Sequence, residues 1–243
     1  MKRRIAACAA AVFVLMIAAY AGARTYAVYY DATEGHGTAI VLTNLFGEET
    51  LARLLAYDSS GNEVAAVDVR LGEYASEAVF VEELLDAASG HTWGLARVLT
   101  EGRVAAAAWI RDEHGWLTVD NVSIPNDVAG ATEYSGYWLT ANYANTENRM
   151  TGLSLVNSSD EQVIGEFYVY DSAGARTSVR SFELDPRSSA FVLLSEELEV
   201  AQTMWGMIDV HTNRPILLVA EYLDASGALI DVDVISRYYL VEP

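Results

Sequence analysis

The side chains of this sequence that could do chemistry are four histidines, His36, His91, His114 and His211, and a large excess of carboxylates. No two histidines stand at metal-ligand spacing, and His114 falls inside a turn signal. There is no G-x-S-x-G elbow, P-loop, H-E-x-x-H helix or dinucleotide fingerprint. Adjacent acids such as Glu48-Glu49, Glu82-Glu83 and Glu196-Glu197 are expected by frequency alone in a chain with 34 Asp+Glu. Asp-x-x-Gly occurs four times, at Asp58–Gly61, Asp112–Gly115, Asp171–Gly174 and Asp224–Gly227. A calcium loop concentrates several oxygen ligands, whereas each of these supplies one carboxylate. Asp accepting from its own turn and Gly at φ > 0 make them hairpin turns instead. Asp231 and Asp233 alternate along a strand and share one solvated face. The reading is therefore non-enzymatic: no catalytic residue, no metal and no cofactor.

Rings are the other candidate groups. Tyr26, Tyr29 and Tyr30 open one half of the chain, and Tyr134, Tyr137, Trp138 and Tyr143 open the other. Exposed rings stack on sugars, which makes Tyr137 and Trp138 a candidate glycan platform; strands also use such rings simply to pack. The dipeptides Trp93-Gly94 and Trp205-Gly206 each begin a strand. On one face of these strands lie Gly94, Ala96, Val98 and Gly206, Ile208, Val210, uniformly apolar and expected to line a core. The other face mixes Trp93 with Arg97 in the first strand and Trp205 with Asp209 in the second. Large apolar groups beside a charge mark a contact surface. Trp93, Arg97, Trp205 and Asp209 are thus expected at a contact between units or between protomers. The alternative is that each Trp caps its own core.

The elements that must carry these residues are written twice. Tyr57-Asp58-Ser59-Ser60-Gly61 returns as Tyr170-Asp171-Ser172-Ala173-Gly174, displaced by 113 positions. At the same displacement Tyr30 meets Tyr143, Thr38 meets Thr151, and Leu42 and Asn44 meet Leu155 and Asn157. A one-residue deletion then shifts the register to 112, where Trp93-Gly94 meets Trp205-Gly206 and Gly115 meets Gly227. One unit of about a hundred residues is present in duplicate.

Within each unit, apolar segments of strand length recur between Gly, Asp, Asn and Ser. The helical candidates are short, Glu82–Ala88 and Glu196–Ala201. The expected fold is all-β: two tandem antiparallel β-sandwiches of seven or eight strands each, from an internal duplication. The boundaries read as a signal peptide over 1–23, repeat 1 over 24–127 and repeat 2 over 128–243, joined by the short linker Pro125–Thr132.

Parts of the second unit follow a familiar order: Leu155 to Asp160, Tyr168 to Gly174, Leu184-Asp185-Pro186-Arg187-Ser188, Glu197-Leu198, then Asn213-Arg214-Pro215-Ile216. This order resembles the small β-sandwich family that includes the sensory rhodopsin transducer, and repeated modules of bacterial secreted proteins. The resemblance implies a sandwich and a tendency to oligomerise. The first unit departs from it, with Gly72-Glu73 in place of the Pro-Arg step and no proline beside Arg103.

Location follows from the first residues. Lys2, Arg3 and Arg4 precede an uncharged apolar run to Tyr20 and an Ala21-Gly22-Ala23 cleavage signal. Export to the periplasm or cell surface is expected, with no stable membrane insertion once the segment is removed. Cleavage would also remove Cys8, the single cysteine, so the core must hold without disulfides. From Arg24 onward 12 arginines face 34 acids, a balance of −22. Such a surface repels phosphate backbones, so nucleic acid is not a partner. The partners expected are an unknown protein, a second copy of the chain, or a glycan.

Overall fold

The computed structural model describes residues 24–85, 92–112, 115–120, 124–125, 136–197, 204–235 and 239–241. Residues 1–23, Tyr134 and most of the linker lie outside the described residues. Repeat 1 runs β1 (Arg24–Ala32), β2 (Gly37–Asn44), β3 (Thr50–Asp58), β4 (Glu63–Leu71), β5 (Ser76–Phe80), α1 (Val81–Leu84), β6 (Thr92–Thr100), β7 (Val104–Asp112), β8 (Gly115–Asp120) and β9 (Ile124–Pro125). Repeat 2 runs β10 (Gly136–Ala144), β11 (Met150–Asn157), β12 (Val163–Asp171), β13 (Arg176–Leu184), β14 (Ser189–Leu193), α2 (Leu194–Glu197), β15 (Trp205–Thr212), β16 (Ile216–Leu223), β17 (Leu229–Ile235) and β18 (Tyr239–Val241).

Strand order repeats with the sequence. Repeat 1 has a five-stranded sheet A1, β4-β3-β6-β1-β9, and a four-stranded sheet B1, β5-β2-β7-β8. Repeat 2 has the matching sheets A2, β13-β12-β15-β10-β18, and B2, β14-β11-β16-β17. The fold is all-β, two tandem antiparallel β-sandwiches related by internal duplication. Two strands exceed the expectation. β9 and β18 add short edges beside β1 and β10, too brief to leave a periodic signal. The helical candidates start as single turns: Leu85 is already extended after the first, and residues 86–88 and 198–201 lie outside the described set.

Each sandwich closes on an alternating core. Tyr26, Val28 and Tyr30 of β1 and Ala96 and Val98 of β6 face Ile40 and Leu42 of β2. Leu139, Ala141 and Tyr143 of β10 and Ile208 and Val210 of β15 face Leu153 and Leu155 of β11. Period-two alternation puts every second residue on the core side, as the Trp-Gly strands require.

The residues the duplication retains are those that satisfy buried backbone. Thr38 Oγ1 donates to Asp31 O at 2.7 Å and accepts from Asp31 N at 2.9 Å; Thr151 makes the same pair with Ala144 at 3.1 and 3.0 Å. Asn44 Nδ2 donates to Glu48 O and Gly72 O, and Asn157 Nδ2 to Glu161 O and Asp185 O. All four side chains are buried, where an unmet backbone group is costly. The Asp-x-x-Gly turns behave as hairpins. Asp58, Asp171 and Asp224 accept amides of their own turns, and Gly61, Gly174 and Gly227 have φ of 84°, 80° and 87°. The Gly72-Glu73 departure leaves the turn unchanged: Tyr74 and its counterpart Arg187 both take positive φ, 52° and 62°.

Gly94 and Gly206 explain why Trp-Gly survives in both units. A Cβ on Gly94 would sit 2.4 Å from Tyr57 O, and one on Gly206 2.1 Å from Tyr170 O. These carbonyls belong to paired strands and cannot swing away. Gly206→Ala is expected to lower stability by about 1–3 kcal/mol, as overpacking does, read as an earlier denaturant midpoint. A loss under about 0.5 kcal/mol would show that the strands yield at this point.

Candidate interaction surfaces

The two sandwiches meet face to face. Ala27 and Tyr29 of β1, Tyr57 of β3 and Leu95 of β6 point away from their own core, on the outer side of A1. They pack on Val156 of β11 and Leu217 and Val219 of β16, on the outer side of B2. The layers therefore run B1, A1, B2, A2. Ile110 near the end of β7 joins the same cluster, and Trp93 packs against it with its ring 6.3 Å from that of Tyr29.

Polar contacts fix this packing at two places. Arg97 of β6 crosses to repeat 2, donating to Ser158 O at 2.8 Å and pairing with Asp160 at 2.9 Å. The Asp58–Gly61 turn seats against the Asp185–Ser188 turn. Ser189 N donates to Ser59 O at 2.8 Å, and a Cβ on Gly61 would lie 2.5 Å from Pro186 O. Arg187 reaches back over the Tyr57 ring at 5.2 Å.

Glu221 of β16 is sealed in the contact, 8% exposed. It accepts from Ser154 Oγ at 2.5 Å and from Tyr29 Oη, across the repeats, at 3.0 Å. Burial raises its pKa, against the pull of the Ser154 bond, and nearby Asp31 adds to the rise. Burial, then the Glu221 charge, raises the Tyr29 phenol well above its usual range. Beside them Asp31 pairs with His36 Nδ1 at 2.9 Å. Burial alone would raise Asp31, but the bonds from His36 and Thr33 outweigh it and lower its pKa. The bond to Asp31 raises His36 in turn. A lone acid within the apolar run Leu217–Leu223 was the available sequence signal for Glu221, but nothing local places it opposite Tyr29.

The outer face of A2 is the counterpart of the covered A1 face, yet it points outward. Trp205, at Trp93's place, is 61% exposed; Met207, at Leu95's place, is 36% exposed; Trp138 of β10 is 40% exposed. Trp138 stacks on His211 with ring centres 4.0 Å apart and planes at 8°, and Tyr168 of β12 tilts onto the other side at 4.5 Å. Burial lowers the His211 pKa, so the stacked imidazole is neutral near pH 7. Tyr168 donates a short hydrogen bond to Glu166, which raises the phenol pKa. Asp209 accepts from Thr140 Oγ1 at 2.7 Å. Trp138, Ile164, Glu166, His211 and Asn213 border a shallow cleft of about 360 Å³.

Of the residues the sequence singled out, Trp93 and Arg97 stand at the contact between repeats, and Trp138, Trp205 and Asp209 stand on the outer A2 face. Tyr137 does not join them. It is 6% exposed and shares the inward side of β10 with Leu139 and Ala141. Adjacent residues of a strand point to opposite faces, so Tyr137 and Trp138 cannot form one platform. Tyr26, Tyr30 and Tyr143 are likewise core residues. Tyr168 and Glu166 were missed, because they come from β12, whose pairing with β15 beside β10 is not local information.

No protein-family model and no curated protein sequence matches this chain. Among solved structures it is similar to the apo form of Pleurotus ostreatus lectin, over 91% of this chain and 78% of that one, at 8% identity and a TM-score of 0.27. A glycosyl hydrolase family 2 member from Bacteroides cellulosilyticus DSM 14838 is similar over 90% of this chain at 11% identity and a TM-score of 0.17. Bacteroides uniformis beta-glucuronidase is similar over 90% at 10% identity and a TM-score of 0.18. The chain spans 28% and 26% of the length of these two hydrolase chains.

Proposed function

We propose that this chain is an exported, non-enzymatic structural or protein-interaction protein that presents the outer face of A2 to a protein partner. The observation that carries the reading is that face itself. Trp138, Trp205 and Met207 stand exposed, and Tyr168 half-buried between them, on one sheet of a strongly acidic chain. Solvated faces of antiparallel sheets are normally polar, and contiguous exposed rings mark contact sites. Export rests on the basic and apolar amino-terminal segment and the cysteine-free remainder. The non-enzymatic reading has support in how the duplicated polar residues are used: they hold buried backbone.

A second reading, carbohydrate binding, is favoured by one local arrangement. In the A2 cleft a stacked Trp138–His211 pair stands beside the Glu166 carboxylate and the Asn213 amide. A ring face with neighbouring hydrogen-bonding groups suits a sugar.

A glycan array and a partner capture, both on the chain from Arg24, separate the readings. The interaction reading expects glycan silence and a partner protein lost on Trp205→Ala. Glycan binding that falls at least about tenfold in Trp138→Ala, a loss of one stacking contact, would replace it with the second reading.

A further inference from the structure

Inside the molecule the outer A1 face is covered by the outer B2 face. Because the repeats are copies, A2 carries the counterpart of the covered A1 face, and B1 the counterpart of the covered B2 face. These two counterparts face away from the internal contact, and among the described residues neither outer face is covered by another sheet. We propose that they dock on each other between molecules, A2 of one copy on B1 of the next, so that the protein assembles head to tail. The proposal rests on the reading of A2 as an interaction surface and names its occupant, a second copy of this chain.

The matching is one of descent. In the internal contact, Tyr29, Tyr57 and Leu95 of A1 press on Val156, Leu217 and Val219 of B2. A2 bears Trp205, Met207 and Tyr168, at the places of Trp93, Leu95 and Leu55. B1 bears Val41, Thr43, Ala105 and Ala107, at the places of Ser154, Val156, Leu217 and Val219, with Trp109 on the same face at the place of Glu221. Val41, Thr43 and Ala105 are half-buried, and Ala78 beside them on β5 is exposed. An outward sheet face that presents Val41, Ala105 and Trp109 is unusual for a strand pair that faces water.

The closure rule then decides the product. A face that docks on a different face gives a heterologous contact, which makes rings or open strings rather than a two-fold dimer. One latch is missing outside. Arg97 and Asp160 tie the internal contact, whereas their counterparts are Asp209 and Gly47. Copies of an acidic chain also repel one another. Assembly is therefore weaker than the internal contact, depends on concentration, and strengthens with salt as repulsion is screened.

Sedimentation velocity on the chain from Arg24, between about 10 µM and 1 mM, tests this. The weight-average mass should rise past the dimer, and rise further at high salt. Trp205→Glu on A2 and Val41→Glu on B1 should each stop growth, with Ala78→Glu, at an exposed position, serving if Val41→Glu fails to fold. The deciding measurement mixes the two blocked variants. Each keeps one intact face of opposite kind, so the mixture should form a one-to-one dimer and stop. A wild type that stays monomeric, one that stops at a dimer, or blocked variants that ignore each other would overturn the proposal. If the wild type is monomeric while Trp205→Glu still loses a partner protein, A2 remains an interaction surface and self-assembly alone falls. If Trp205→Glu changes neither, both readings fall together.

Discussion

Leu217→Ala is expected to cost about 2–5 kcal/mol, the range for deleting a fully buried leucine, and to uncouple the two sandwiches. Leu217 has no exposure, yet it belongs to neither repeat's own core; it stands on the outer side of B2 against A1. Its neighbour Leu218 is equally buried but points into the core of repeat 2. Leu218→Ala should cost a similar amount by a different route. Hydrogen exchange tells the two apart. Leu217→Ala should speed exchange in β1 and β6 as well as in β16, because the lost contact held both repeats. Leu218→Ala should speed exchange in repeat 2 first. Exchange confined to β16 in Leu217→Ala, with a loss below about 1 kcal/mol, would show that the face-to-face contact contributes little.

The second large effect is tied to pH through Glu221. Its folded pKa is raised above the ordinary 4.5 by burial. A carboxyl raised on folding holds its proton more tightly in the folded state. Its contribution to stability is therefore fully present below about pH 4.5 and is lost as pH rises through the folded value. Glu221→Gln should remove that decline, leaving a variant that gains on the wild type as pH goes from 4 to 8. Tyr29→Phe deletes the hydroxyl that donates to Glu221 across the repeats. It should cost roughly 1.5–3 kcal/mol where the acceptor is charged and nearer 1 kcal/mol where it is protonated. His36, raised by Asp31, loses its own contribution as pH rises above its unfolded value of 6.5. Denaturant midpoints across pH in a His36→Asn background isolate the Glu221 term. A Tyr29→Phe penalty that is the same at pH 4 and pH 8 would mean that Glu221 does not ionise in the contact.

Much of the architecture was legible before any coordinates. Tyr-Asp-Ser-x-Gly, the paired threonines and the paired asparagines marked a duplication. Alternation in β6 and β15 named the core-facing side residue by residue. These are local properties: period-two geometry sorts a strand's side chains without reference to any partner, and a turn aspartate accepts amides two and four residues away. Which outward face is covered is a different kind of fact. Trp93-Gly94 and Trp205-Gly206 are the same dipeptide on equivalent strands, held by the same need for glycine against a neighbouring carbonyl. One tryptophan packs at the contact between repeats and the other stands exposed, because A1 meets B2 while the outer face of A2 meets no other sheet among the described residues. Arg97 finds Ser158 and Asp160, and Glu221 finds Tyr29, across separations of 61, 63 and 192 positions. No spacing in the sequence encodes such pairs; they exist because two folded sandwiches present complementary faces, and folding of each must come first.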